Sequence, residues 1–205
     1  ECVNRASHLA PAGSYAAVKL ANQWLSFGQV RHWWGPGQQG SLMFGHSARP
    51  VTGLTLQRAE QAPFDSRWLS WVGRWQYRLF AGQLAQYAAV PQAKMIGMRL
   101  SMMPTDYLEL GASRVMQWGG QGRPQTLSSL GKAFLGKGDN VYTTTDMATE
   151  PGNQLGGLDF RVKLQPLLNV PVSVYGQYVG EDEAGYMPSK NTYVLGVDGA
   201  HVVGE

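Results

Sequence analysis

Three groups of residues are of types that could do chemistry. Glu181, Asp182 and Glu183 form a run of carboxylates, side chains that can hold a hard cation or act as acid and base on a glycosidic bond. Successive residues of an extended chain point to opposite faces, so no two neighbours in the run converge on one bond, and a solvated loop is the plainer reading. Gly35-Pro36-Gly37-Gln38-Gln39-Gly40 spells the G-x-G-x-x-G pattern of dinucleotide folds. That use needs a buried strand before it, a helix after it and backbone N–H groups aimed at a pyrophosphate. Pro36 deletes one such donor, and residues 41–45 hold no helix start before Pro50. Trp33 and Trp34 in the same stretch offer flat rings that can stack on sugars, although tryptophans beside a glycine turn equally serve packing.

Other chemistries find no support. Cys2 is the sole cysteine, which leaves no disulfide framework and no thiolate zinc site. His8, His32, His46 and His201 lack ligand spacing, no serine sits in a nucleophile elbow, and Gly131-Lys132 lacks the rest of a P-loop. We read no enzyme, no metal site and no cofactor. A net charge of +3 and a pI near 9.0 come from singly scattered cations, without the basic stripe that nucleic acid requires.

The scattered cations suggest a fourth chemistry once the elements that carry them are considered. Over residues 69–81, Leu69, Trp71, Gly73, Trp75, Tyr77, Leu79 and Ala81 alternate with a polar face containing Arg74, Gln76 and Arg78. Ile96, Met98, Leu100 and Met102 alternate with Arg99 and Ser101. Leu108, Leu110 and Ala112 alternate with Glu109 and Ser113, and Leu158, Phe160 and Val162 alternate with Asp159, Arg161 and Lys163. Val172 and Val174 then oppose Ser173, Tyr175 and Gln177, and Tyr193, Leu195 and Val197 begin a last strand that the chain hardly completes. Arg74, Arg78, Arg99, Arg161 and Lys163 thus share the wet side of successive strands, where they could bind an anion or pair with Glu109 and Asp159.

The composition is that of strands and turns: 26 glycines, 7 tryptophans, 9 tyrosines and only 15% charged residues, against about 25% in an ordinary soluble domain. About ten strands are expected, joined by short turns on one side and long loops on the other. The longest loop covers residues 119–157, with one helical turn around 127–135. Alternation alone fits either a membrane barrel or a soluble sandwich. Length favours the barrel, because residues 69–81 and 107–117 reach the roughly 9–11 residues that a tilted spanning strand needs. Turning Arg74 and Arg78 to lipid would cost roughly 2–4 kcal/mol each at mid-depth, so the tryptophan face must be the lipid face. Trp71, Trp75, Tyr77, Ile96, Leu100, Leu110, Phe160 and Val174 are expected on that outer face.

Residues 31–50 (RHWWGPGQQGSLMFGHSARP), 152–161 (GNQLGGLDFR) and 179–189 (VGEDEAGYMPS) together resemble the Wzi family of capsule-assembly proteins. The positions that carry the likeness are Arg31, Trp34, Gly35, Pro36, Gly37, Gly40, Asn153, Gln154, Asp159, Arg161, Glu181, Asp182 and Glu183. The resemblance runs from about Gly13 to Asp198 and implies an all-β, antiparallel meander within an outer-membrane β-barrel that holds capsular polysaccharide at the bacterial surface. The chain reads as a single barrel segment, an internal fragment of a wider barrel. A porin or solute channel is the competing function. The expected ligand is an acidic polysaccharide met by Trp33, Trp34, Arg74, Arg78, Arg99, Arg161 and Lys163. Outer-membrane lipid is the other partner, with no nucleic acid, and the sequence names no protein partner.

Overall fold

The structure, a computed structural model, describes residues 13–45, 48, 51–84, 90–135, 154–181 and 190–199. Nine strands follow one another in a single antiparallel meander, each paired with its neighbours in sequence. They are β1 (Tyr15–Leu20), β2 (Gln23–Gln29), β3 (Thr52–Arg58), β4 (Arg74–Gln83), β5 (Lys94–Thr105), β6 (Leu108–Trp118), β7 (Gln154–Lys163), β8 (Val172–Glu181) and β9 (Lys190–Gly199). Among the described residues two α-helical segments interrupt them, α1 (Leu127–Phe134) between β6 and β7 and the single turn α2 (Gln165–Leu168) between β7 and β8. The sheet does not close: β1 and β9 are its edges.

Register fixes which side chains share a face. Tyr77, Leu100, Ala112, Leu158, Tyr178 and Tyr193 lie on one line across β4 to β9, and Arg78, Arg99, Ser113, Gly157, Val179 and Thr192 lie on the adjacent line. Paired residues point the same way, so the first line belongs to an apolar outer face and the second to a polar inner face. Phe27, Leu158 and Leu195 on the outer face are 61%, 61% and 78% exposed. A water-soluble domain does not leave so broad an apolar surface bare, whereas hydrocarbon requires it. Tyr77, Ile96, Leu100, Leu110, Phe160 and Val174 take their expected outer positions.

Several expectations change in detail. Trp71 is outside the strand: Ser70–Val72 is a 3-10 turn, and Gly73 at φ +66 separates it from β4, with its Cα so close to the Met103 carbonyl that no Cβ fits. Trp75 does stand on the outer face, but Phe64 stacks on it at 4.5 Å and the Arg58 guanidinium lies 4.0 Å from its ring. The last strand is complete, since β9 pairs with β8 over its whole length. Nine strands are present among the described residues, in keeping with the ten or so expected, and residues 42–44 form bends. The two-residue turns at 21–22 and 106–107 sit at one end, yet the 59–73 connection shares that end, so the loops are not sorted strictly by length.

Candidate binding site on the inner face

The β2–β3 connection leaves the rim and folds back onto the inner face. Trp34 is its anchor, fully buried against Phe44, Phe80 and Val115. Room for the indole comes from Gly97, where a Cβ would stand 2.6 Å from the Trp34 ring edge. Phe80, the register partner of Gly97, lies over the same bare backbone. Burying this cluster of aromatic rings stabilises the fold-back by roughly 2 kcal/mol for each large side chain.

Gln177, from β8, fastens the segment. Its Nε2 donates to the Trp34 carbonyl at 2.7 Å, its Oε1 accepts from the Leu42 N–H at 2.8 Å, and the Ser41 hydroxyl donates to the same Trp34 carbonyl. Gly35 permits this approach, because a Cβ there would fall 2.8 Å from the Gln177 Oε1. Gly37 does the same against the Tyr175 ring, 2.9 Å away. The Gly35–Gly40 stretch is thus a close-packing device, with no helix after it.

Among the described residues, two ion pairs on the inner face reach across an intervening strand. Arg99 on β5 reaches over β6 to Asp159 on β7, with Nη1 to Oδ2 at 2.6 Å and Nη2 to Oδ1 at 2.8 Å, and Nη1 also donates to the Ser113 hydroxyl at 2.7 Å. Gly111 lies beneath, where a Cβ would stand 2.5 Å from Arg99 Nη2. Arg161 on β7 reaches over β8 to Asp198 on β9, donates through Nε to the Pro36 carbonyl at 3.3 Å, and lies above the Tyr175 ring at 5.5 Å. Both arginines therefore hold the wall together. Arg74 is exposed at the rim, 3.4 Å from Asp106, and Lys163 takes the next inner position beyond Arg161 on β7.

Arg78 differs from these. It has no hydrogen-bonding or carboxylate partner among the described residues, and it faces a polar cleft of about 210 Å³ bounded by Trp33, Gln76, Arg99, Ser101 and Glu109. The cleft offers a guanidinium fork, a carboxylate, an amide, a hydroxyl and an indole within one small volume, a mixture that suits a polyol bearing an acid group. His32 borders Arg78, stacked on Phe80 at 4.3 Å; burial, then the Arg78 charge, lower its pKa to about 4, so the imidazole is neutral at pH 7.

The expected ligand residues thus separate. Trp33, Arg78 and Arg99 meet at the cleft, whereas Trp34 has no exposed ring face for a sugar. Gln154 lies on the outer face beside Arg114, and Glu181 pairs with Lys190 at 3.4 Å. Arg31 is exposed, and Asn153, Asp182 and Glu183 lie outside the described residues. Sequence reasoning missed Gln177, Asp198, Gly97 and Gly111, whose signals are only an inward position on an alternating strand.

The family described as "Capsule assembly protein Wzi" matches residues 6–205. A Klebsiella pneumoniae protein, described as an uncharacterized 55.8 kDa protein in the cps region, is 56% identical over 201 residues, which cover 98% of this chain and 39% of the relative. A solved structure of Wzi from Escherichia coli, described as an outer membrane protein involved in group 1 capsule assembly and a carbohydrate-binding β-barrel, is 53% identical with a TM-score of 0.78. That similarity covers 93% of this chain and 39% of the other. The chain therefore spans well under half the length of the relatives it matches.

Proposed function

The chain belongs to the Wzi family of capsule-assembly proteins, and on that premise we propose that it is the polysaccharide-holding wall of an outer-membrane barrel that attaches capsule to the cell surface. The contact is the inner-face cleft, with Arg78 as the fork for a sugar carboxylate, Glu109 and Gln76 as partners for hydroxyls, and Trp33 as the apolar wall. The observation that carries this reading is the Arg78 guanidinium, without a hydrogen-bonding or carboxylate partner among the described residues, inside a polar cleft beside Arg99, whose charge is already taken by Asp159. The segment seated on the inner face supports attachment over the solute-channel alternative, because it fills space that a conducting lumen leaves open.

Each contact with a hydrated sugar acid is weak and screened over about 8 Å at physiological salt, so affinity comes from many repeats of one polymer. The test is retention of purified capsular polymer by the full-length protein carrying Arg78→Ala or Trp33→Ala, compared with variants in the 119–153 connection. Loss with the cleft variants, steeper for longer polymer and weaker at high salt, is expected. Normal retention by the cleft variants together with loss in the loop variants would place recognition at the loop end and defeat the assignment.

A further inference from the structure

We propose that α1 and the adjoining rim of β5 and β6 form a binding site for an anionic, phosphate-bearing membrane lipid, its headgroup on Arg114 and Lys94 and an acyl chain in the groove beside them. The argument begins with the orientation of α1. Thr126 caps it by accepting from the Ser129 N–H at 3.1 Å, and Trp118 Nε1 donates to the Ser129 hydroxyl at 3.0 Å. The docked side consists of Ser129 and Ala133, both buried, while Leu127, Phe134 and Leu135 are left 85%, 42% and 61% exposed. A helix in water buries its large apolar side chains first; here a serine and an alanine are the buried residues, Leu130 is half-buried, and Leu127 and Phe134 are left outside. At about 100° per residue, Leu127 and Phe134 form one stripe and Lys132 lies nearly opposite, the layout of a helix resting in a membrane interface.

Charge on the same surface is one-sided. Lys94 and Arg114 stand on the outer face, in register with Trp118 and Met98, and no carboxylate occupies an outer position of any described strand or any described position from 119 to 135. Their partners are neutral. Lys94 donates to the Gln125 amide oxygen at 2.7 Å and lies 4.6 Å from the Trp118 ring; Arg114 donates to the Gln154 amide oxygen and to the Ala133 carbonyl. An ammonium has three donors and a guanidinium five, so each cation keeps its charge and spare donors.

Below Arg114 runs an outer-face groove of about 590 Å³, floored by Ala112, Gly156 and Gly180 and walled by Leu79, Leu158 and Tyr178. A Cβ at Gly156 would meet nothing within 4 Å, so the floor is open to an acyl chain. β6 lies inside the sheet, away from the β1 and β9 edges where further strands would add. Cations at the rim and a greasy groove beneath them match a phospholipid or phosphorylated glycolipid, not a free anion.

The inference depends on the membrane face alone, so it stands or falls separately from the polysaccharide reading. The experiment is native mass spectrometry of the full-length protein in detergent, titrated with bisphosphorylated lipid A, with its dephosphorylated form and with inorganic phosphate as competitor. Lys94→Gln/Arg114→Gln is expected to weaken lipid A binding about thirtyfold, and Lys94→Gln alone about fivefold. Leu127→Ser/Phe134→Ser should weaken it while leaving the preference for the phosphorylated form. Heat-modifiable gel mobility reports that each variant is folded, and the single variant serves if the double variant is not. Equal affinity of wild type and cation variants, equal affinity for the dephosphorylated lipid, or displacement by millimolar inorganic phosphate would each overturn the proposal.

Discussion

Replacing Asp159 by asparagine removes one charge from the inner wall without changing its shape. The Asp159 side chain is 2% exposed and that of Arg99 is 12%, and both carboxylate oxygens accept from the guanidinium. Asparagine keeps one acceptor but turns an amide donor toward a donor, and it leaves a nearly buried cation unpaired. Breaking such a pair from one side costs about 3–5 kcal/mol, whereas replacing both partners by apolar residues of similar volume is often neutral. With a urea dependence of about 1–3 kcal/mol per molar, the midpoint should fall by about 1–5 M for Asp159→Asn and much less for Arg99→Met/Asp159→Leu. The assay is urea unfolding of the full-length protein in phospholipid bilayers, followed by tryptophan fluorescence and by heat-modifiable mobility. A shift for Asp159→Asn below about 0.3 M, or a double variant as damaged as the single, would refute the claim that the pair braces β5 against β7.

Two further outcomes are expected. The His32 pKa of about 4 lies below the ordinary value near 6.5, so the unfolded chain takes up a proton in that window and the folded chain does not; stability should decline as pH falls from 6.5 toward 4, by up to about 3 kcal/mol. His32→Phe, which keeps the stacked ring, should flatten that decline in pH-dependent urea titrations, and an unchanged slope would assign the acid sensitivity elsewhere. Spin labels at Leu158 and Leu195 should be accessible to oxygen in bilayers of full-length protein, while a label at Val115 should be immobile and protected; the reverse pattern would make the outer face a protein core.

Much of the sheet was legible because alternation is local. Residues 74–81, 94–103, 108–117 and 158–163 declare both their strands and their faces through neighbours two positions apart. What escaped depends on distant residues or on one backbone angle. The alternation runs through Trp71 without a break, and only the left-handed φ at Gly73 ends the strand there. Glycine and proline announce a turn at 35–40, but nothing local says that it folds inward, since its seat is built from Phe80, Gly97 and Gln177 on other strands. Arg161 was legible as an inner cation; its partner Asp198, with all of β8 between them, was not. The cleft around Arg78 has the same character, because Trp33 comes from the folded-back segment and Glu109 from β6.

The Gln177 fastening also orders events in time. Its bonds to Trp34 and Leu42 join residues 143 and 135 positions apart, so the seat of the β2–β3 segment cannot exist until β8 has been laid down. Closing a loop of that length is slow relative to pairing adjacent hairpins, which each need only local search. Sequential hairpin pairing brings β2, β4 and β8 together first and leaves only a short closure for the segment, so its docking is expected to follow the rate-limiting formation of the meander. Interactions made after the barrier do not speed folding; they slow escape from the folded state. The clasp is thus a brake on unfolding, and its loss, for example by Gln177→Leu, registers as a shorter lifetime of the folded wall at an unchanged rate of assembly.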